Sequence, residues 1–158
     1  VQDPMLPVWI AGGGEKLTLN VAARYADYTN FGYTFDEFTR KSEILAGHCR
    51  DVGRDYDEIV RTTNFNILIG ETEAEVAERT AAFKAHFSPI VGDDKVDSVF
   101  SRTFVEGGGI AGTPEQIVER IREWEAAGLG YAIVYSQEAG TDRRGLELFA
   151  EQVMPHFT

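Results

Sequence analysis

Short apolar runs alternate four times with stretches that repeat at helical spacing, and this alternation constrains the chain more than any other feature. A chain that switches between period 2 and period 3.6 in this way builds strand–helix units around a parallel sheet. The first strand is expected at 8–11 and its helix at 16–26, with Leu17, Val21, Ala22 and Tyr25 on one face. A short polar strand follows at 27–31. The helix after it starts near Phe35, carries Phe38, Leu45, Cys49 and Val52 on one side, and stops near Gly53. The third strand covers 61–69, and Thr72 with Glu75 has the spacing of a capping box for the next helix. Thr113, Pro114 and Gln116 mark another helix start, and Gly128 its end. A fourth strand at 131–135 and a last helix at 142–156, with Leu146, Phe149, Ala150, Val153 and Met154 inward, complete the pattern. Residues 88–112 read as a long irregular loop inside a single domain of residues 1–158. The class is therefore α/β with a parallel sheet. Periodicity leaves two architectures open: a small doubly wound domain, or half of an eight-unit (βα) barrel.

The first strand-to-helix junction carries the chemistry. The apolar run Val8-Trp9-Ile10-Ala11 ends at Gly12, Gly13 and Gly14, and a helical pattern begins almost at once. Adjacent glycines let a ligand approach the backbone with no Cβ in the way. Free N–H groups at the start of a helix favour an anion. A dinucleotide fingerprint does not fit, because the third glycine position of G-x-G-x-x-G is Leu17 and no acidic residue closes the next strand. The G-K-[ST] ending of a P-loop is absent. Lys16 in the first helical turn suits a bound anion better than a bare helix start. The candidate is a phosphate-bearing cofactor at Gly12–Lys16.

Charge narrows the partners. Fifteen Lys and Arg against 26 Asp and Glu leave a net charge of −11, which argues against nucleic acid and anionic membrane as partners. No apolar run approaches the roughly 18 residues of a membrane-spanning helix. The lone Cys49 excludes an internal disulfide and fits a reducing, cytoplasmic setting. His48, His86 and His156 lack metal-ligand spacing and read as surface or helix-end residues, and no metal is expected. No nucleophile elbow and no Cys–His pair suited to covalent catalysis are present, so no catalytic residue is assigned. Asn30 and Tyr33, at the end of the second strand, read as turn residues within reach of a polar ring.

Three segments carry a family resemblance. Pro7–Leu19, followed by Ala22-Ala23-Arg24-Tyr25-Ala26-Asp27, is similar to the central segment of luciferase-like flavin and deazaflavin oxidoreductases. Ala46-Gly47-His48-Cys49-Arg50-Asp51-Val52-Gly53 resembles the segment that follows it, and Gly112–Ile121 with Ala127-Gly128 resembles a late helix of the same family. The resemblance implies the C-terminal half of a (βα)8 TIM barrel, strands five to eight with their helices. It further implies that Gly12, Gly13, Gly14, Lys16 and Leu17 bind the cofactor's phosphate side. The implied cofactor is coenzyme F-420, an 8-hydroxy-5-deazaflavin, with FMN as the alternative. The implied chemistry is hydride transfer between that cofactor and a small-molecule substrate. A half barrel leaves two open strand edges, so the chain is expected to pair with a second copy or with the N-terminal half of the barrel.

Overall fold

The computed structural model describes residues 5–157. Five strands and six α-helices alternate along these residues: β1 (Trp9–Ala11), α1 (Thr18–Tyr25), β2 (Tyr28–Asn30), α2 (Phe35–Val52), β3 (Val60–Ile69), α3 (Glu73–Val91), α4 (Val96–Phe104), β4 (Ile110–Gly112), α5 (Pro114–Ala126), β5 (Leu129–Tyr135) and α6 (Arg144–Gln152). By their contacts these residues group into two compact units. The first runs to Asn64 and takes in Glu125–Ile133; the second comprises Phe65–Trp124 and the chain from Val134 onward. The strand β3 belongs to both.

In the first unit β1 pairs with β2 and β2 with the N-terminal part of β3, both in parallel. The registers are Trp9↔Tyr28 through Ala11↔Asn30, and Tyr28↔Val60 through Asn30↔Thr62. The sequence explains the helix on each crossover. Thr34 caps α2 by accepting from the Glu37 N–H at 3.2 Å, and Gly53 closes it in the left-handed region at φ 71°. Leu19, Ala22, Ala23, Phe38, Leu45 and Cys49 are buried, and the small alanines let α1 sit close beneath its neighbours. This shifts the expected face of α1. Ala22 is inward, whereas Leu17, Val21 and Tyr25 are 80%, 43% and 66% exposed and form an outward stripe.

The second unit pairs Ile67–Ile69 of β3 with Ile110–Gly112 of β4, again in parallel. Thr72 caps α3 as its spacing requires, accepting from the Glu75 N–H at 3.2 Å. Gln116 reaches back to the Thr113 N–H at 3.0 Å ahead of α5. Trp124 meets Phe65 edge-on at 5.0 Å. Leu68, Phe83 and Phe104 form a second cluster against Val76, Phe87 and Phe100.

The expected loop at 88–112 is not irregular. Helix α3 runs through Ser88 and Pro89 to Val91, Gly92 breaks it at φ 96°, and α4 and β4 follow. The i, i+4, i+8 series Val96, Phe100 and Phe104 supplies the apolar stripe of α4, and Phe100 meets Phe83 edge-on at 5.8 Å. Pro89 and Gly107–Gly109 mask that stripe in the sequence. Gly109 is required by close approach, since a Cβ there would lie 3.0 Å from the Asn66 carbonyl oxygen. The expected last helix is also shorter. It ends at Gln152 and a 3-10 turn covers Met154–His156, with Leu148 and Val153 buried and Leu146 and Met154 exposed.

Candidate functional site

The glycine turn leaves β1 and enters α1 without regular hydrogen bonding. Gly12 adopts φ 117°, which an L side chain rarely takes, and its N–H continues the ladder by donating to the Asn30 carbonyl at 2.9 Å. That bond removes one of the expected anion donors. No backbone acceptor engages the N–H groups of Gly13, Gly14, Glu15, Lys16 or Leu17 among the described residues. Leu17 stands at the N-cap and offers no side-chain acceptor, and the first turn of α1 carries no acidic residue. Lys16 is exposed and enters no ion pair among the described residues. The turn therefore presents a run of unspent donors on an open surface.

Side chains from α2, distant in sequence, frame this turn. A Cβ on Gly13 would collide with Lys41, whose Nζ reaches that position and whose Cε lies 2.9 Å from it. A Cβ on Gly14 would come within 2.7 Å of Thr18 Oγ1. The glycines thus stand where side chains from neighbouring segments close in, and larger residues would fill the cradle. His48 Nε2 donates to the Glu15 carbonyl at 2.7 Å and its Nδ1 accepts from Asn20 at 3.4 Å, which fixes the tautomer. This histidine is half-buried in the last third of α2, where it holds the turn, a role that the sequence reading did not assign to it. Arg40 pairs with the Glu15 carboxylate. The Glu37 carboxyl is held below its ordinary range by the Tyr33 N–H first and by Lys41 second. None of Lys41, His48 or Arg40 stood out in the sequence, because all lie at ordinary positions of an amphipathic helix.

Asn30, the last residue of β2, donates through Nδ2 to Oδ1 of Asn64 in the middle of β3 at 3.0 Å. Asn30 is thereby engaged across the sheet, not in a turn. The Thr29 and Thr62 hydroxyls are fully buried and find no partner among the described residues. Trp9 stacks on Tyr28 at 4.4 Å and meets Tyr131 edge-on at 5.7 Å, making a half-exposed aromatic surface at the start of β1.

The second unit holds a different concentration of charge. Arg79, 8% exposed, donates to Glu138 at 2.8 Å and to Glu75 at 3.2 Å, with Asp142 at 3.6 Å. Arg144 adds a contact to Glu75 at 3.5 Å. The Glu71 N–H donates to Glu75 at 2.9 Å and, together with these arginines, pulls the Glu75 carboxyl below its ordinary range. A cavity of about 480 Å³ opens beside this network against Phe83, His86 and Phe87. Arg79 thus ties carboxylates of α3 and of the segment before α6 together, as a structural cross-link does. Among the described residues no group of three or more His, Cys, Asp or Glu is placed to hold a metal ion. No helix there is long and apolar enough to cross a membrane.

The family model of luciferase-like monooxygenases matches residues 1–130. The chain belongs to that family. The luciferase-like fold is borne out by solved structures. A coenzyme F-420-dependent tetrahydromethanopterin reductase from Methanopyrus kandleri superposes with a TM-score of 0.71 at 19% identity, over 97% of this chain and 51% of that one. An EDTA monooxygenase from Chelativorans sp. BNC1 gives 0.71 at 22% identity, over 94% and 43%. A riboflavin lyase, solved with modified FMN and riboflavin, gives 0.67 at 16% identity, over 93% and 41%. These likenesses establish an α/β fold with a parallel sheet like that of luciferase-like TIM-barrel enzymes. The chain spans about half the length of these structures or less. No curated protein sequence matches it significantly.

Proposed function

We propose that this luciferase-like chain is the cofactor-binding half of a flavin- or deazaflavin-dependent oxidoreductase, corresponding to strands five to eight of the barrel. Its cofactor is coenzyme F-420, with FMN as the alternative that the FMN-bound riboflavin lyase supports. The observation that carries the reading is the turn at Gly12–Gly14, with unspent N–H groups at Gly13 and Gly14 on a family member's strand-to-helix junction and the Lys41 and Thr18 side chains closing in on these two glycines. The turn fits a phosphate: Gly13 and Gly14 donate backbone N–H groups, His48 holds the Glu15 carbonyl in place, and Lys16 and Leu17 border the ligand. When bound, F-420 supplies hydride transfer to or from a small-molecule substrate, while FMN supplies oxygen chemistry in a monooxygenase.

The remaining wall of the substrate pocket comes from a complement, either a second copy of this chain or the other half of a barrel. Support lies on the first unit. Strand β1 is paired only with β2 among the described residues, and Leu17, Val21 and Tyr25 line the helix beside it unburied. Barrels close so that no strand edge remains open.

Titration with F-420 and with FMN, followed by cofactor fluorescence and paired with light scattering, tests both parts. Binding of one cofactor below about 100 μM supports the reading, since weaker association lies beyond roughly −5.5 kcal/mol. No binding of either at high micromolar concentration overturns the cofactor assignment. A monomeric mass throughout overturns self-pairing.

A further inference from the structure

We propose that Lys41 makes the glycine turn selective for a phosphorylated cofactor, an inference that rests on reading Gly12–Gly14 as a cofactor-phosphate turn. The Lys41 side chain is only 15% exposed. Its aliphatic stem lies along Gly13, with Cδ and Cε 3.1 and 2.9 Å from where a Cβ would stand, and it delivers the ammonium to that backbone. An ammonium has three donors and no acceptor. Its one carboxylate neighbour within 4 Å among the described residues is Glu37, at 3.7 Å. That separation is longer than the 2.7–2.9 Å of a good charge-assisted bond. The other Glu37 oxygen already accepts from the Tyr33 N–H at 3.1 Å, and Glu15, the remaining carboxylate near the turn, is engaged by Arg40.

A half-buried cation with one long partner therefore stands against the same glycine whose N–H is unspent. A cofactor phosphate on Gly13 and Gly14 completes its coordination. Partial desolvation strengthens that attraction over what an exposed lysine offers. The neutral ribityl end of riboflavin, which carries the same ring as FMN, gains nothing from it. Glu37 competes with the phosphate for the same ammonium.

The test compares FMN with riboflavin on the 158-residue chain and its variants, by flavin fluorescence, at two salt concentrations, with circular dichroism as the folding control. F-420 is compared with its unphosphorylated ring–ribityl fragment in the same way. The wild-type chain binds the phosphorylated ligand at least tenfold more tightly. Lys41→Gln loses roughly tenfold for that ligand alone, keeps its riboflavin affinity and flattens the salt dependence. Lys41→Arg retains the discrimination, and Glu37→Gln strengthens FMN binding severalfold. Equal losses for FMN and riboflavin, or unchanged discrimination in Lys41→Gln with unchanged affinity in Glu37→Gln, overturn the role of Lys41 and leave the turn standing. Failure of the wild-type chain to bind any of the four ligands overturns the turn itself, and Lys41 with it.

Discussion

The glycine turn of the first unit and the Arg79 network of the second both gather polar groups, and they solve opposite problems. Around Arg79 each guanidinium nitrogen meets a carboxylate inside the protein: a buried guanidinium is shared by Glu75, Glu138 and Asp142. Around Gly13 the backbone N–H groups have no backbone acceptor among the described residues, and Lys41 has a single long ion pair. A saturated network holds α3 to the segment that precedes α6. An unsaturated one leaves its hydrogen-bonding capacity to solvent. The cavity of the second unit lies beside the saturated network, while the proposed cofactor turn is an exposed surface. The two regions therefore differ in unspent hydrogen-bonding capacity as well as in shape.

Substitutions on the two sides sharpen this contrast. Gly13→Val has the largest expected effect, abolishing cofactor binding in a fluorescence titration. Its stability changes little, within about 0.5 kcal/mol, because the group it displaces is the flexible end of Lys41. Unchanged affinity would sink the cradle. Next comes Arg79→Ala, expected to cost about 3 kcal/mol in urea unfolding, since three carboxylates lose their shared cation. Cofactor affinity stays as it was. A loss below about 1 kcal/mol would show the network to be surface-like.

The smallest effect is a pH dependence. The folded Glu75 carboxyl titrates below its ordinary value of 4.5, so the native state binds fewer protons than the unfolded chain. Its stabilising contribution is complete above that value and is lost as the pH falls through the depressed one. Glu75→Gln therefore weakens the protein near neutral pH and flattens the acid limb of the stability profile below about pH 4.5. Parallel profiles for the two proteins would remove Glu75 from the network.

Much of the fold was legible from local chemistry. The cap at Thr72 and the end of α2 at Gly53 both follow from residues within a few positions of one another. The reading failed where local signals conflict. Pro89 and the glycines at 107–109 suggested a loop, but the aromatic cluster of Phe83, Phe87, Phe100 and Phe104 gives α4 enough burial to form. On α1 two apolar stripes compete, and only packing against the first unit decided that the alanine stripe is inward and Leu17, Val21 and Tyr25 outward. The site divides along the same line. Gly12, Gly13 and Gly14 were visible because a strand, a glycine run and a helix start are contiguous.

By itself, then, the sequence determined the order of elements, the parallel α/β class and the place of the glycine turn, because these depend on periods and capping groups read over short windows. Tertiary structure alone decided what surrounds the turn. Lys41, Arg40 and His48 reach it across 25 to 33 residues of chain. It also decided that the Gly12 N–H is spent on the sheet. Such pairings are set by how α2 docks on the first unit, and no local pattern in the sequence encodes that docking.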